Sequence, residues 1–491
     1  MADSLMIQGT MSGAGKSLLC TALCRIFHQE GWRVTPFKSQ NMALNSAVTA
    51  EGLELGRAQA VQAEAAGLEP DVRMNPVLLK PEGDTGSQVV LRGIARGHME
   101  AAAYFRYRRQ LLPEILQCYN SLAKKSDLMV IEGAGSPAEI NLQEHDIVNM
   151  GLAEAVHAPV LLAGDIDRGG VFAQLYGTVS LLDASQRRRV RGFLINKFRG
   201  DVSLLRPGLA RLEELTGIPV LGVIPWMDAE LDPEDSLSPV LGQEWVRKAV
   251  DIAVIRFPRI SNFTDFAPLE RHPGLGVRYV RRASALGTPD LLILPGTKNT
   301  LSDLLWLRQS GLEAAVLSLA NQGTPVLGIC GGYQMLGERL EDPEGVEGSI
   351  RTLQGLNLLP CVTRFAREKV LGRVRAEGCG IFEGVQLEGY EIHTGRTEVR
   401  GDPFCRLSSG EPEGCRKDTV WGTCLHGLFD RGAVVDALAA YLYGRKGIPL
   451  PEAVSQNARA FREQQYDLMA SAVREAMDLD AVKAVIREGA P

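Results

Sequence analysis

The chain alternates short, wholly apolar runs with longer stretches whose apolar positions recur at helical spacing. "SLMIQG" predicts a strand and "KSLLCTALCRIFHQEG" the helix after it, stopped at Gly31. "RVTPFK" predicts a second strand, and "SDLMVIEGAG", "APVLLAGD", "VRGFLINKF" and "PVLGVIPW" predict four more. Strands apolar on both faces that alternate with helices imply a parallel sheet covered on both sides. A second series follows: "VDIAVIRFP", "GVRYV", "DLLILPGT" and "TPVLGIC". Between the two series, "MDAELDPEDSLSPVLGQEW" is acidic and proline-bearing and reads as a linker. "VRAEGCGIFEGVQLEGYEIHTGRTEV" predicts antiparallel strands, and "FREQQYDLMASAVREAMDLDAVKAVIREG" predicts helix. The fold class expected is α/β, with two doubly wound domains and mainly parallel sheets. Residues 1–226 form the first domain, 227–250 the linker, 251–445 the second domain and 446–491 a helical C-terminal tail.

The bulk numbers narrow the picture. A chain of 491 residues exceeds one ordinary core, so two or three domains are expected. The formal charge of −6 gives no general attraction to nucleic acid or to an anionic membrane. No apolar run reaches the roughly 18 residues that span a bilayer. The opening "MADSLMIQGT" lacks a basic stretch followed by a long apolar one, so no signal peptide and a cytoplasmic location are expected. The nine cysteines are scattered and form no CxxC pair, which argues against a disulfide framework or a structural zinc site.

Chemistry enters at two places. In "IQGTMSGAGKSLL", Gly9, Thr10, Gly13 and Gly15 stand between a strand and a helix, followed by Lys16 and Ser17. Glycines let the backbone fold around phosphates and turn N–H groups inward, and the helix start adds partial positive charge. Lys16 is expected to reach the β- and γ-phosphate oxygens of ATP, and Ser17 to help hold Mg²⁺. Five residues separate Gly9 from Gly15, one more than in the common loop. Glu132 ends a strand, where a carboxylate can hold Mg²⁺; an ordinary surface acid is the alternative. Asn196 ends a later strand and is a candidate reader of a nucleotide base. Lys38, closing the second strand, is a candidate for neutralising a substrate or a transferring phosphoryl group. Asp146 is a candidate for positioning Mg²⁺ or ammonia, with helix capping as its alternative. Gln59, Gln62 and Glu64 suit either substrate contact or a solvated helix face.

The second place is "PVLGICGGYQMLG". Cys330 follows an apolar strand and precedes a helix, the geometry that exposes a nucleophile on a strained turn. A helix start would favour the thiolate; a buried inert thiol is the alternative. Gly296 in "LILPGTKNT" and Gly331 could supply N–H groups to an oxyanion. His426 in "WGTCLHGLF" is a candidate general base and acid.

These segments resemble known families. The five-residue loop spacing is similar to that of dethiobiotin synthetase, which activates a carboxylate-type group by phosphorylation, and Met11 replaces the signature lysine of the partition ATPases. The Cys330 and His426 segments resemble the class I glutamine amidotransferases, in which the cysteine attacks glutamine and the histidine moves the proton. Those enzymes commonly carry a Glu two residues after the histidine; here Leu428 stands there, so the sequence shows no third triad member. A glutaminase makes ammonia and an ATP site can activate an acceptor, so the pair implies ATP-dependent amidation of a carboxylate with glutamine nitrogen. "FKSQNMALNS", "MNPVLLKP", "SPAEINL", "DIVNMG", "RISNFTDFAPLE" and "GYEIHTGR" resemble, in order, segments of the cobyric acid synthase family. That resemblance implies a corrinoid substrate, amidation of the b, d, e and g carboxylates of adenosylcobyrinic acid a,c-diamide, and ATP, Mg²⁺ and glutamine as requirements. Other readings are the a,c-diamide synthase reaction, a glutamine-dependent ligase for another acid, and a non-enzymatic ATP switch. Met11 argues against the switch, as does the Cys330/His426 pair.

Overall fold

The computed structural model describes residues 2–81, 86–230, 247–452 and 455–490. Most of the expected linker, residues 231–246, lies outside them. The chain forms two compact units. The first comprises Met1–Ala43, Glu54–Asp232 and Arg462–Pro491; the second comprises Leu44–Leu53 and Pro233–Phe461. This division departs from the sequence expectation in two places. Residues 44–53 group with the second unit, and the last thirty residues group with the first rather than forming a separate tail.

The first unit is built on a six-stranded, wholly parallel sheet. In spatial order its strands are Val220–Pro225, Val190–Phe198, Val160–Asp165, Asp3–Gly9, Leu128–Glu132 and Val34–Phe37. Leu128–Glu132 and Val160–Asp165 are buried at every position; their apolar runs suit a sheet covered on both faces, and each ends in a carboxylate at the C-terminal edge. Helix Lys16–Gln29 begins after Gly15 at φ 91° and ends before Gly31 at φ 86°, both in the left-handed region that glycine reaches without steric cost. Its Leu19, Leu23 and Phe27 pack in one core with Leu5 and Ile7 of the first strand and with Tyr466, Val473, Val482 and Ile486 of the C-terminal helices. Those late helices are amphipathic and bury their apolar stripe here. Glu64, one of the candidate substrate contacts, accepts from Arg462 Nε and Tyr466 Oη at 3.0 Å each, so it fastens the late helix. The first strand pairs with a later strand on each side, which makes its C-terminal end the switch point where such sheets bind ligands.

The second unit has its own six-stranded sheet, in the order Leu275–Val280, Val250–Ile255, Leu291–Leu294, Val326–Ile329, Val420–Thr423 and Cys415–Lys417. All pairs are parallel except the last. The stretch expected to be antiparallel is a long hairpin, Cys361–Gly378 against Gln386–Val399. Among the described residues, no helix is long and apolar enough to cross a membrane.

Candidate functional site

At the C-terminal edge of the first sheet, Glu132 is the centre of a buried polar cluster. Its Oε1 accepts from Ser17 Oγ and from Lys38 Nζ, both at 2.8 Å, and its Oε2 accepts from Gln62 Nε2 at 2.5 Å. Burial alone would raise this carboxyl's pKa. The Lys38 ammonium and the three donated hydrogen bonds outweigh burial and hold it below the usual glutamate value. Glu132 is 1% exposed, so it is not the surface acid of the alternative reading. Gln59 and Gln62 are fully buried, which rules out a solvated helix face for them.

The loop before helix Lys16–Gln29 is closely packed. A Cβ on Gly15 would lie 2.0 Å from Asn196 Nδ2, and one on Gly9 3.0 Å from Ala14 Cβ. Lys16 Nζ donates to the carbonyls of Met11 (3.1 Å) and Gly135 (3.0 Å), which places the ammonium within the loop's curve. Thr10 Oγ1 donates to Gln174 at 3.0 Å. Lys197 adds a cation not foreseen from the sequence: its Nζ bonds Gly13 O and Asp165 Oδ2, each at 2.7 Å. These residues fit a nucleotide triphosphate and Mg²⁺. A hydroxyl and a carboxylate already meet at 2.8 Å, two lysines border the loop, and Gln8 Oε1, Gln59 Nε2 and Gln62 Oε1 are buried without hydrogen-bond partners.

Two other candidates make local contacts in the folded chain. Asn196 donates its Nδ2 to Ala14 O at 2.8 Å and is 2% exposed, so it braces the phosphate loop. Asp146 gives its carboxylate to the N–H groups of Val148, Asn149 and Gly151 at 2.8–3.2 Å. Those bonds fix the turn that leads into helix Met150–Ala155, whose N-cap position is Asn149. Asp146 thus orders the turn from which Asn149 bonds both backbone groups of Ala134, two residues past Glu132.

In the second unit, Cys330 follows strand Val326–Ile329 directly, and His426 lies three residues past the adjacent strand Val420–Thr423. Parallel pairing of those strands carries both residues to the same sheet edge. Cys330 has φ 51° and ψ −111°, a sparsely populated conformation that costs about 1–3 kcal/mol. The packed turn holds it there: Cys330 N donates to Thr423 O at 2.8 Å and Gly332 N to Pro295 O at 3.1 Å. A Cβ on Gly332 would meet Leu294 O at 1.9 Å, one on Gly331 would meet Thr297 Cγ2 at 2.7 Å, and one on Gly296 would meet His426 Cε1 at 2.9 Å. Both proposed oxyanion glycines thus lie beside the thiol and the imidazole, and the Gly331 N–H faces the sulfur.

The third group of the array is Asp265. Its Oδ2 lies 2.7 Å from His426 Nδ1, and its Oδ1 accepts the Gly427 N–H at 2.9 Å. His426 Nε2 is buried without a conventional hydrogen bond and borders the Cys330 thiol. Burial works against charge on both residues. For His426, Asp265 and then Cys330 outweigh burial and lift the imidazole to about 10. For Cys330, His426, then His393 and the Gly331 N–H, outweigh burial and bring the thiol below its usual value. The array favours a thiolate–imidazolium pair, activated mainly by the histidine. The helix after Cys330 has only six residues, so the expected helix-start effect reduces to one nearby N–H. Gln334 on that helix is 2% exposed and has an unpartnered Nε2.

Comparison with known proteins decides the family. Residues 5–239 match the CobQ/CobB/MinD/ParA nucleotide binding domain, and residues 251–434 match the CobB/CobQ-like glutamine amidotransferase domain. The cobyric acid synthase of Lachnoclostridium phytofermentans is 51% identical over all of both chains. The chain belongs to the cobyric acid synthase family. Family members from Ruminiclostridium cellulolyticum and Yersinia enterocolitica are each 51% identical, covering 100% and 99% of this chain and 98% of each relative.

Membership in the cobyric acid synthase family also gives meaning to what the sequence did not single out. Asp265 sits inside "RISNFTDF", a segment that carried the family resemblance, yet nothing local marks its carboxylate as the partner of a histidine 161 positions away. Lys197 is next to Asn196 and takes a positive φ of 62°; its reach back to Gly13 depends on strand order alone.

Proposed function

We propose that this protein amidates the b, d, e and g carboxylates of adenosylcobyrinic acid a,c-diamide, giving adenosylcobyric acid, with glutamine as nitrogen donor and ATP as activator. The 51% identity over the full length of both chains carries the choice of acceptor. The chain is a glutamine- and ATP-dependent amide ligase of cobalamin biosynthesis. All nine cysteines are free thiols, which fits the reducing cytoplasm in which we place it.

In the second unit the Cys330 thiolate attacks the glutamine side-chain carbonyl. The N–H groups around Gly331 and Gly296 receive the developing oxyanion. The His426 imidazolium gives its proton to the departing nitrogen, which leaves as ammonia. His426 then takes a proton from water, whose oxygen bonds to the thioester carbonyl carbon; the C–S bond breaks, glutamate leaves with loss of its carboxyl proton to solvent, and the thiolate–imidazolium pair is restored. Asp265 keeps Nδ1 protonated throughout, so Nε2 is the atom that exchanges protons. In the first unit a corrinoid carboxylate receives the γ-phosphoryl group of ATP, and ammonia displaces phosphate from the acyl phosphate. Mg²⁺, held by Ser17 and Glu132, would neutralise charge on the phosphates. Lys16 and Lys38 offer fixed positive charge to the same oxygens.

Glu132→Gln tests the first site. The change keeps the shape but removes the charge that pairs with buried Lys38; breaking a buried pair costs about 3–5 kcal/mol. Amidation should fall by about 10²-fold or more with glutamine and with ammonia alike. Cys330-dependent glutamate release should persist. Equal loss of both activities would point to a folding defect instead.

The acceptor is tested by high-resolution mass spectrometry of the diamide after incubation with MgATP and ¹⁵N-amide glutamine. Stepwise incorporation ending at four labelled amides is expected. Glutamate release with no label in the corrinoid would sink the acceptor assignment.

A further inference from the structure

His426 is supported from two sides. Asp265 holds its Nδ1, and the Tyr390 ring stacks on its face with centroids 5.5 Å apart and planes 26° from parallel. Tyr390 and His426 also exchange backbone hydrogen bonds of 3.0 and 2.8 Å. Both supports lead to a single residue of the 44–53 segment, Ser46. The Tyr390 hydroxyl donates to Ser46 O at 3.3 Å. Ser46 N donates to Asn262 Oδ1, also at 3.3 Å. Asn262, at φ 50°, opens the turn Phe263–Phe266 that carries Asp265. A further contact fixes the segment farther along, where Arg373 Nε donates to Val48 O at 3.2 Å.

The segment's place in the chain is what gives these contacts their interest. Residues 44–53 pack within the glutaminase unit, yet in sequence they lie between Lys38 and Gln59, both buried in the polar region of the ATP site. The chain on either side of them therefore runs into the polar region that holds Lys38 and Gln59. The two Ser46 hydrogen bonds are long and neutral, so each contributes at most about 1 kcal/mol. Such bonds can be made and broken by small backbone shifts. An imidazole does not tolerate such shifts silently, because a misplacement of about 1 Å can slow a reaction about 10²-fold.

We propose that the 44–53 segment is a tether that positions His426 through Tyr390 and Asn262, and that it adjusts the rate of glutamine hydrolysis to the ligand state of the ATP site. Tyr390 and Asn262 are positioning residues in this account; neither touches the reacting atoms. The proposal rests on the glutaminase reading above.

The test uses the full-length protein and the ratio of glutamate release with and without MgATP plus the diamide substrate. Coupling between sites is typically worth about 5- to 150-fold, so the wild type should be stimulated by about fivefold or more. Tyr390→Phe keeps the stacked ring and loses the hydroxyl; its stimulation should drop below about twofold. KM for glutamine and the ammonia-dependent amidation rate should not change. Asn262→Ala should behave like Tyr390→Phe, whereas Asn262→Asp, which keeps an acceptor oxygen and tolerates the left-handed backbone, should retain stimulation. A wild type without stimulation, or a Tyr390→Phe protein stimulated as strongly as wild type, overturns the tether. Glutamate release that survives Cys330→Ala would instead overturn the glutaminase reading itself.

Discussion

Cys330→Ala should reduce glutamine hydrolysis to background while amidation driven by ammonium salts continues at close to the wild-type rate. The expectation follows from how the thiols differ. Burial pushes the neighbouring Cys424 thiol up to about 11, leaving little thiolate near neutral pH. Burial likewise raises Cys20, Cys118 and Cys405. Cys330 is held on the strained turn beside an imidazolium, which favours its thiolate despite burial. Alanine removes the sulfur and adds no bulk to the crowded turn. The first unit, with its own sheet, core and polar cluster, is left intact. Glutamate release and ¹⁵N-ammonium incorporation, measured side by side, check the prediction. Loss of both activities in a folded protein would count against two separable sites.

Asp265→Asn should slow glutamine hydrolysis by about 10²- to 10⁴-fold, again sparing amidation with ammonia. The asparagine can keep the Gly427 N–H bond through its oxygen. Its amide N–H groups would then face His426 Nδ1 and favour the tautomer with the proton on Nε2, where a base is needed. The pH profile should change as well, and its sign follows from the charges. In the wild type, Asp265 and Cys330 lift His426 to about 10 against the cost of burial. Without the Asp265 charge the imidazolium deprotonates at lower pH, so the alkaline limb of kcat/KM for glutamine moves down. A less stable imidazolium supports the thiolate less well, so the Cys330 pKa rises and the acid limb moves up. The active window should narrow from both ends. A profile with unchanged limbs would show that Asp265 does not set the charge state of the pair.

The reach of sequence reasoning differs between the two sites for a physical reason. Gly9 to Ser17 form one strand–turn–helix unit, as do Val326 to Leu336. Within such a unit the spacing of residues along the chain is nearly their spacing in space, so the loop and Cys330 are legible locally. The parallel sheets are legible for a similar reason, since strands covered on both faces must be apolar throughout. Asp146 and Asn196 show the limit of this. Each is a candidate ligand by residue type and position, and only the folded chain shows the backbone groups that each side chain also bonds. The helix Leu479–Glu488 shows it too. Its apolar stripe could be read, but the surface that receives it, beside Leu5 and Leu19, could not.

Two α/β units, a phosphate loop ending in Lys16 and Ser17, a cysteine on a sharp turn, and the family are legible in the order of residues alone. These are encoded by short-range spacing and by the periodicity of apolar residues. Tertiary structure decided which of 59 acidic residues serves each site. It chose Asp265 for His426 and joined Glu132 to Lys38 and Gln62. It also set Ser46 against Tyr390. Strand order and loop packing bring these groups together across tens to hundreds of residues. Over such separations the spacing along the chain carries no record of which side chains will meet.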